Sequence, residues 1–350
     1  MKFVKSLAAA AALALIPAAT LAEEQITLRF QHFVSPKVAV PLYFMKPWAE
    51  KVEADSDGRL KVEIYPHMQL GGKAPSLYDQ IRDGVVDGGW VIPAYTPGRF
   101  PEAEALELPF ITTMDASVSS RAAWEYTQKH LADDFEDVHL IAVHVHGPGV
   151  VHVKGDPLAS AADFEGKKLR GPSRQANELF KAMGATPVGM PVPAFPDALA
   201  KGVVDGGGIP WEIVPPLKVH ELTDASTQVG GDRALYNLYF LWAMNKASYA
   251  ALPDDLKAVI DANSGIDASE WAGQALVIGD AIGMEKVAAN GNVIHTMGEA
   301  ETAEIKEIAE GVTARWIEAM DEKGFDGAAL IEDARALIAA EEEKAAKTTN

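Results

Sequence analysis

The 350-residue chain is acidic, with 31 basic and 50 acidic side chains and a formal net charge of -19 at pH 7. This balance argues against nucleic acid or an anionic membrane surface as a partner. Cysteine is absent, so stability must come from a packed core, which a 48% hydrophobic composition can form. The length favours two domains or lobes.

The N-terminus has the pattern of an export signal. Lys2 and Lys5 precede an apolar run over residues 7–16, which Pro17 ends. The run is shorter than a membrane span, and Ala22 offers a small residue for cleavage. We predict export to the periplasm, cleavage after about Ala22, and a mature protein without a membrane-inserted segment.

The first part of the mature chain alternates strand and helix patterns. Because a helix separates the first two strands, we expect them to pair in parallel. The same alternation continues into a third strand. The predicted segments are a strand at Ile26 to Phe30, a helix through Pro47 to Val52, a strand at Leu60 to Tyr65, a helix at Pro75 to Arg82 and a strand at Gly88 to Ile92.

One helix-to-strand corner occurs twice. Gly84 to Pro93 (GVVDGGWVIP) closely matches Gly202 to Pro210 (GVVDGGGIP). Each follows a predicted helix and leads into a short strand that proline ends. Two similar α/β lobes would explain the repetition, and chance recurrence of a common turn is the alternative.

Arg170 is predicted to lie at the C-terminal end of a strand. Pro172 forbids the strand from continuing, and Ser173 is a suitable N-cap for a helix over 174–183. Ligands collect at this edge of open α/β sheets, and a guanidinium fork suits a carboxylate. The alternative is a surface arginine in a basic turn, because two lysines precede it at 167–168.

A cluster of histidines follows a strand predicted at Asp137 to Val145. Alternation puts His144 and His146 on one face, and with His152 they could form a zinc site. Histidines of this kind more often line a polar cleft or pack beside a sheet. The sequence Gly147-Pro148-Gly149 favours a sharp crossing between lobes, with the return crossing near residues 230–231.

From Pro253 the chain is predicted to be helical almost to its end. Residues 267–270 resemble a capping box, and the acidic residues 341–343 are predicted to form a solvated tail. A helical stripe in the segment after the capping box is expected to face the core. Its members are Trp271, Ala275, Ile278 and Ile282.

The chain lacks the short motifs of several enzyme classes. It contains no nucleophile elbow, phosphate loop, dinucleotide fingerprint or His-Glu-x-x-His zinc motif. Export, two lobes and an arginine at a strand end therefore favour a binding protein over an enzyme, with no cofactor.

Five segments of the chain, which follow one another in a characteristic order, carry a family resemblance. They span essentially the whole mature chain, and together they resemble the periplasmic solute receptors of tripartite ATP-independent periplasmic (TRAP) transporters, the DctP-like family. The resemblance implies a two-lobed α/β fold with crossing hinge strands, a long helix bridging both lobes, and closure around an organic acid. The segments are Gly71-Gly72, Gly84 to Pro93, Leu108 to Phe110, Asp163 to Pro172 and Asp205 to Glu212.

The resemblance also implies roles for particular residues. Arg170 of the Leu-Arg-x-Pro motif would grip the ligand carboxylate, and Ser173 would add a polar contact. Ile209 stands where several relatives have asparagine, and Val150 where sialic-acid-type relatives have a basic residue. Both departures disfavour sialic acid and similar polyhydroxylated acids.

The remaining residues around Arg170 are mostly apolar, so we predict a monocarboxylate with an apolar or aromatic body. For Trp90, core packing is an equal alternative. Glu212 is a further candidate, either for a cation or for contact with the membrane subunit. The predicted ligand-binding residues are Arg170, Trp211, Trp90, Phe33, His32, His146, Ser173, Arg174, Tyr95, Ile209 and Pro210.

The predicted cycle is capture, hinge closure and delivery to the membrane permease, driven in this family by an ion gradient. The alternatives are an exported metal-dependent hydrolase that uses His144, His146 and His152, and a receptor for a membrane sensor. We expect residues 1–22 to be the signal peptide and 301–350 to be helices packed on the lobes. Lobe I is expected at 23–146 plus about 232–265, and lobe II at 147–231 plus about 266–300.

Overall fold

The structure is a computed structural model that describes residues 25–348, so the predicted signal segment and its cleavage site lie outside the described residues. Two β-sheets with helices packed on them form a two-lobed α/β fold, as predicted. Within residues 25–348, no helix is long and apolar enough to cross a bilayer.

The strands agree closely with the alternation of the sequence, because most are bounded by glycine, proline or a helix cap. In chain order they are β1 (Ile26–Gln31), β2 (Leu60–Tyr65), β3 (Gly88–Val91), β4 (Val138–Val145), β5 (Val150–Val153), β6 (Lys168–Gly171), β7 (Thr186–Gly189), β8 (Gly206–Ile209), β9 (Ala225–Gln228), β10 (Tyr239–Asn245) and β11 (Val293–Thr296).

The helices are α1 (Lys46–Asp55), α2 (Leu77–Arg82), α3 (Ala116–His130), α4 (Arg174–Ala182), α5 (Phe195–Ala200), α6 (Lys246–Ala250), α7 (Asp254–Ala262), α8 (Ile266–Ala289), α9 (Glu299–Asp321) and α10 (Gly327–Thr348). Short 3-10 turns at Pro93–Tyr95, Glu102–Glu107, Val192–Ala194 and Trp211–Ile213 connect them near the middle of the molecule.

The first sheet has the strand order β2-β1-β3-β10-β4, and the second has the order β11-β9-β5-β8-β6-β7. The predicted parallel pairing of β1 with β2 is confirmed, and β10 runs antiparallel to β3 and β4. In the second sheet β6 is parallel to β7 and β8, whereas β5 is antiparallel to β8 and β9. The lobe boundaries given above stay a prediction.

The chain crosses from the first sheet to the second after β4 and returns before β10, as predicted. The two crossings lie side by side, because the Gly149 N–H donates to the Tyr236 carbonyl at 3.2 Å and Asn237 Nδ2 donates to the His146 carbonyl at 2.8 Å. A Cβ at Gly149 would lie 2.4 Å from the Tyr236 ring, so only glycine allows this approach.

The repeated corner is confirmed at both places. Helix α2 is followed by Gly84 (φ +71°) and β3, and α5 is followed by Gly202 (φ +69°) and β8. A proline then starts a 3-10 turn in each copy, at Pro93 and after Pro210. The strands β3 and β8 are inner strands of their sheets, so both corners deliver their turns to the middle of the molecule.

Helix α8 bridges the lobes, but two predictions about this helix are wrong: its capping box and its buried face. It begins at Ile266 with Gly265 as N-cap and without a side-chain capping bond, so the predicted capping box over 267–270 is absent. Ile278 and Ile282 are 48% and 37% exposed, although both were predicted to face the core.

The buried side of α8 consists mainly of small residues, because the helix passes very close to other backbone segments. A Cβ at Gly279 would lie 2.4 Å from the Ala39 Cβ, and one at Gly283 would lie 2.1 Å from the Trp211 carbonyl oxygen. Large aliphatic side chains would prevent this approach, so they lie on the opposite side. The helix thereby contacts segments from both lobes.

The acidic C-terminal residues also differ from the prediction of a solvated tail. Glu341 is 3% exposed and accepts a hydrogen bond from Arg121 Nε at 2.7 Å. Glu342 receives two hydrogen bonds from Arg233, at 2.6 and 2.9 Å. These ion pairs fasten α10 to the rest of the molecule.

Candidate ligand-binding site

Arg170 lies at the C-terminal end of β6 and is 1% exposed, so the alternative of a surface arginine is wrong. The predicted cap is confirmed, because Ser173 Oγ accepts a hydrogen bond from the Ala176 N–H at 3.2 Å. Gly207 lies opposite on β8, where a Cβ would be 2.6 Å from the Arg170 Cβ. The glycine therefore makes room for the arginine.

Backbone carbonyl groups hold the guanidinium of Arg170. Its Nε donates to the Met190 carbonyl at 3.0 Å and its Nη1 donates to the Gly208 carbonyl at 2.7 Å. Its Nη2 is buried and has no hydrogen-bond partner among the described residues. The orientation is therefore fixed and one donor nitrogen is left for another molecule.

Burial lowers the pKa of the Arg170 guanidinium, and the nearby Tyr95 and Tyr236 partly offset this effect. The group remains charged, because arginine has so high an intrinsic pKa. Its neighbours among the described residues are neutral groups, namely the two carbonyls and the nearby Tyr95 hydroxyl. A buried cation without an anionic partner is unfavourable, and a bound carboxylate would supply that partner.

Arg170 contributes to the wall of a cavity with about 360 Å³ of empty volume, which includes space open to solvent. Apart from a few polar groups, the wall is aromatic and aliphatic. The lining residues are Phe33, Trp90, Ile92, Tyr95, His146, Arg170, Pro172, Val192, Gly208, Ile209, Pro210, Glu212, Ile213, Tyr236, Leu238 and Phe240.

The aromatic part of the wall is a stack of rings. Trp90 lies parallel to Phe33 and nearly parallel to Phe240, with centroid distances of 5.0 Å in both cases. Trp90 Nε1 donates to His144 Nε2 at 2.8 Å, which fixes the indole. Tyr95 meets Phe33 edge to face at 5.8 Å. The stack offers a ligand a preformed apolar surface.

Hydrogen bonds connect segments of the first lobe to segments of the second near the cavity. The Tyr95 hydroxyl accepts from the Val192 N–H at 2.9 Å. Gln175 Nε2, on α4, donates to Glu104 Oε2 at 2.7 Å. The first bond joins two residues of the cavity wall, and the second links α4 to the 3-10 turn at Glu102–Glu107.

The structure brings most, but not all, of the predicted site residues together. Ser173 and Arg174 line a neighbouring cavity that shares Tyr95 and Pro172 with the first. Those predicted residues that line the 360 Å³ cavity itself are Phe33, Trp90, Tyr95, His146, Arg170, Ile209, Pro210 and, as the further candidate, Glu212.

Trp211 and His32 were predicted to contact the ligand, but neither lines this cavity. Trp211 is fully buried, and its Nε1 donates to Gln228 at 3.1 Å. The 3-10 turn after Pro210 directs its ring towards His152 on β5, at 5.3 Å. His32 follows β1 and lines a different cavity, beside α1 and β2.

The three histidines proposed for a zinc site do not form one. His152 contacts Ser226 Oγ through Nδ1 at 2.8 Å and the Ile209 carbonyl through Nε2 at 3.2 Å, whereas His144 is bonded to Trp90. Only His146 of the three lines the cavity. Residues 25–348 contain no group of three or more side chains placed to hold a metal ion, so the hydrolase alternative lacks its site.

Glu212 is 6% exposed, and its backbone N–H donates to Asp280 Oδ1 at 2.9 Å. Burial, together with the nearby Asp280 carboxyl, raises the pKa of Glu212 to about 8. Burial also raises the pKa of Asp280 to about 7. Glu212 therefore carries a proton at neutral pH, which makes it a poor cation ligand.

Sequence reasoning missed the residues that the return crossing contributes to the cavity. Tyr236, Leu238 and Phe240 come from the segment between β9 and β10 and from the start of β10. The sequence from Leu235 to Met244 (LYNLYFLWAM) is rich in aromatic residues, and this pattern predicts a buried strand. Its position directly after the predicted crossing at residues 230–231 was the available signal, because a crossing must pass the cleft.

The family model for bacterial extracellular solute-binding proteins, family 7 (DctP), matches residues 30–319. The chain is similar to a TRAP solute-binding protein from Rhodoferax ferrireducens, solved with copurified benzoate. The identity is 48%, the TM-score 0.89, and the match covers 92% of this chain and 100% of that one.

A second solved relative comes from an unidentified marine microbe and is described as specific for aromatic acid ligands, in complex with 3-hydroxybenzoate. It is 46% identical with a TM-score of 0.89, over 91% of this chain and 99% of its own. The outer membrane transporter protein TsaT of Comamonas testosteroni is 26% identical over 97% of this chain and 99% of that protein. The chain thus belongs to family 7 of the bacterial extracellular solute-binding proteins, the DctP-like receptors of TRAP transporters, which bind solutes and are not enzymes.

Proposed function

We propose that this receptor binds an aromatic monocarboxylate in the 360 Å³ cavity. The observation that carries the proposal is the buried Arg170 Nη2, a charged donor that has no partner among residues 25–348 and lies in a wall that is otherwise largely apolar. A carboxylate would satisfy this donor and neutralise the guanidinium. The aromatic acids bound by the two solved relatives support the same ligand class.

The ring of the ligand would lie against Phe33 and the stack around Trp90, while Arg170 would fix the carboxylate. His146, Tyr95, Ile209 and Pro210 complete the proposed contacts. Sugar acids fit this wall poorly, because their hydroxyl groups would lose water and find few partners.

Binding would favour the closed arrangement of the lobes, since the proposed contacts come from both of them. The Tyr95–Val192 hydrogen bond would form and break with closure. After export and removal of the signal peptide near Ala22, the loaded receptor would deliver the acid in the periplasm to the TRAP membrane permease. Docking on the permease and release of the acid would then use the energy of an ion gradient.

Calorimetry on protein freed of copurified ligand tests the proposal. We expect benzoate to bind and benzamide, an uncharged molecule of the same shape, to bind at least about 30-fold more weakly. Mass spectrometry of molecules released from denatured protein should identify an aromatic acid. Equal affinity for benzoate and benzamide, or binding of neither, would refute the proposed ligand class.

A further inference from the structure

Three buried polar atoms without a partner belong to residues that line the same cavity. Among the described residues, they are Arg170 Nη2, His146 Nε2 and Glu212 Oε2. A carboxylate held by Arg170 accounts for the first. The other two remain, and burial of an unpaired polar atom is unfavourable unless a ligand pairs with it.

The tautomer of His146 follows from its neighbour. Its Nδ1 lies against the Gly147 carbonyl oxygen, which can only accept, so Nδ1 carries the hydrogen. Burial and, to a smaller extent, the Arg170 charge lower the pKa of His146 to about 4. The ring is therefore neutral at pH 7 and its Nε2 presents a lone pair, which makes it a hydrogen-bond acceptor.

The position of His146 is fixed from several sides. Asn237 Nδ2 donates to its carbonyl at 2.8 Å, across the two crossings. Its ring meets Tyr236 edge to face at 5.7 Å and Phe240 at 6.2 Å. The acceptor is thus held in place before any ligand arrives.

Glu212 lies on the same side of the cavity. Its backbone N–H donates to Asp280 Oδ1, and the other oxygen of Asp280 lies 1.7 Å from where a Cβ of Gly147 would be. Glu212 and the residue after His146 therefore both touch one carboxyl group on α8. With its proton retained, Glu212 adds a donor to the cavity wall that also holds the His146 acceptor. A hydroxyl group can pair with either of them, because it both donates and accepts.

We propose that His146 Nε2 accepts a hydrogen bond from a ring hydroxyl of the bound acid, so that the receptor prefers hydroxylated aromatic monocarboxylates to unsubstituted ones. This inference rests on the proposed function and adds the second polar contact of the ligand. A second carboxylate at this place would lose its hydration and face the His146 lone pair, so dicarboxylates are disfavoured.

Calorimetry with five acids tests the inference: benzoate, 3- and 4-hydroxybenzoate, and the matching 3- and 4-methoxybenzoates. In the wild type we expect one hydroxybenzoate to bind about tenfold more tightly than benzoate. The matching methoxy acid has no hydrogen to donate and should show no such gain. Equal affinities for the hydroxy and methoxy acids at both ring positions would overturn the inference without any variant.

Two variants then locate the acceptor. His146→Leu should reduce the preference to within about threefold, and His146→Gln should restore part of it through its amide oxygen. The control is His32→Leu, because His32 is equally buried, has two unpaired ring nitrogens and lines another cavity. An unchanged preference in His146→Leu would overturn the assignment, whereas failure of every aromatic acid to bind would refute the proposed function itself.

Discussion

The two copies of the repeated corner follow the same backbone path but contribute different chemistry to the cavity. The third residue of β3 is Trp90, whereas the third residue of β8 is Gly208. Two residues beyond the proline, the first corner places Tyr95 and the second places Glu212. All four residues line the cavity.

The difference shows how one structural unit can serve two purposes. Trp90 fills space and gives the first corner an aromatic surface. Glycine at the corresponding place leaves its carbonyl free to accept from Arg170 and leaves room for Tyr236, whose hydroxyl would lie 2.5 Å from a Cβ at Gly208. The first corner therefore provides contact area and the second provides polarity and orientation.

Removing the charge of Arg170, beside the second corner, should have the largest effect, a loss of ligand affinity. In Arg170→Ala a bound carboxylate would be buried without a partner, so we expect benzoate affinity to fall by about 2–5 kcal/mol. Arg170→Lys keeps the charge but not the fork and should lose less. Calorimetry measures both. The control is Arg174→Ala, an exposed side chain outside this cavity, and an equal loss in that variant would contradict the role of Arg170.

Glu212, in the turn of the second corner, should make the free energy of unfolding depend on pH. The pKa of Glu212 is raised to about 8 from an ordinary value of 4.5, so the folded protein keeps a proton that the unfolded chain releases. Its stabilising contribution is complete below about pH 4.5 and is lost as the pH rises towards 8.

Glu212→Gln removes this titration. Relative to the wild type, the variant should gain free energy of unfolding between pH 5 and pH 8, on the order of 3 kcal/mol. Urea unfolding at several pH values measures the difference, with Glu285→Gln, an exposed residue on α8, as the control. A difference that does not change with pH would show that Glu212 is not held in its protonated form.

A larger side chain at Gly208 in the second corner should lower the stability of the protein. In Gly208→Ala the new Cβ would meet the fully buried Tyr236 hydroxyl at 2.5 Å, so we expect a loss of about 1–3 kcal/mol in stability. Benzoate binding should also weaken, because the Gly208 carbonyl holds Arg170. The control is Gly311→Ala on α9, where the nearest atom lies at 3.5 Å and stability should rise by up to about 1 kcal/mol. Equal stability of both variants in urea unfolding would rule out a steric role for Gly208.

Replacing one ring of the aromatic stack should have the smallest effect, a weaker preference for aromatic ligands. Phe33→Leu keeps the wall apolar but removes the ring stacked on Trp90. We expect the preference for benzoate over cyclohexanecarboxylate to shrink by about 0.5–1.5 kcal/mol. Phe164→Leu, in the separate core of the second lobe, should change stability without changing this preference. An undiminished preference in Phe33→Leu, measured by calorimetry, would argue against ring stacking.

Much of the fold was predictable because its signals are local. Pro172 and Ser173 fix the end of β6 and the start of α4, and so they place Arg170 at the strand end. The glycines and prolines of the two corners act in the same way. The predicted ends of strands and helices agree with the structure where glycine, proline or a cap residue lies within a few positions of the end.

What was not predictable depends on residues that are distant in sequence. Glu341 is buried because it pairs with Arg121, 220 positions away. Ile278 is exposed because the glycines of α8 must approach the backbone of Trp211 and the side chain of Ala39. The direction of the Trp211 ring is likewise set by the strands around it, and no local pattern encodes that choice.

The stacked indole of Trp90 has a practical consequence. This fluorophore lies in the cavity wall with its N–H bonded to His144, so an arriving ring should alter its emission directly. The receptor therefore carries its own optical reporter, and capture of an acid can be timed by rapid mixing without any attached dye.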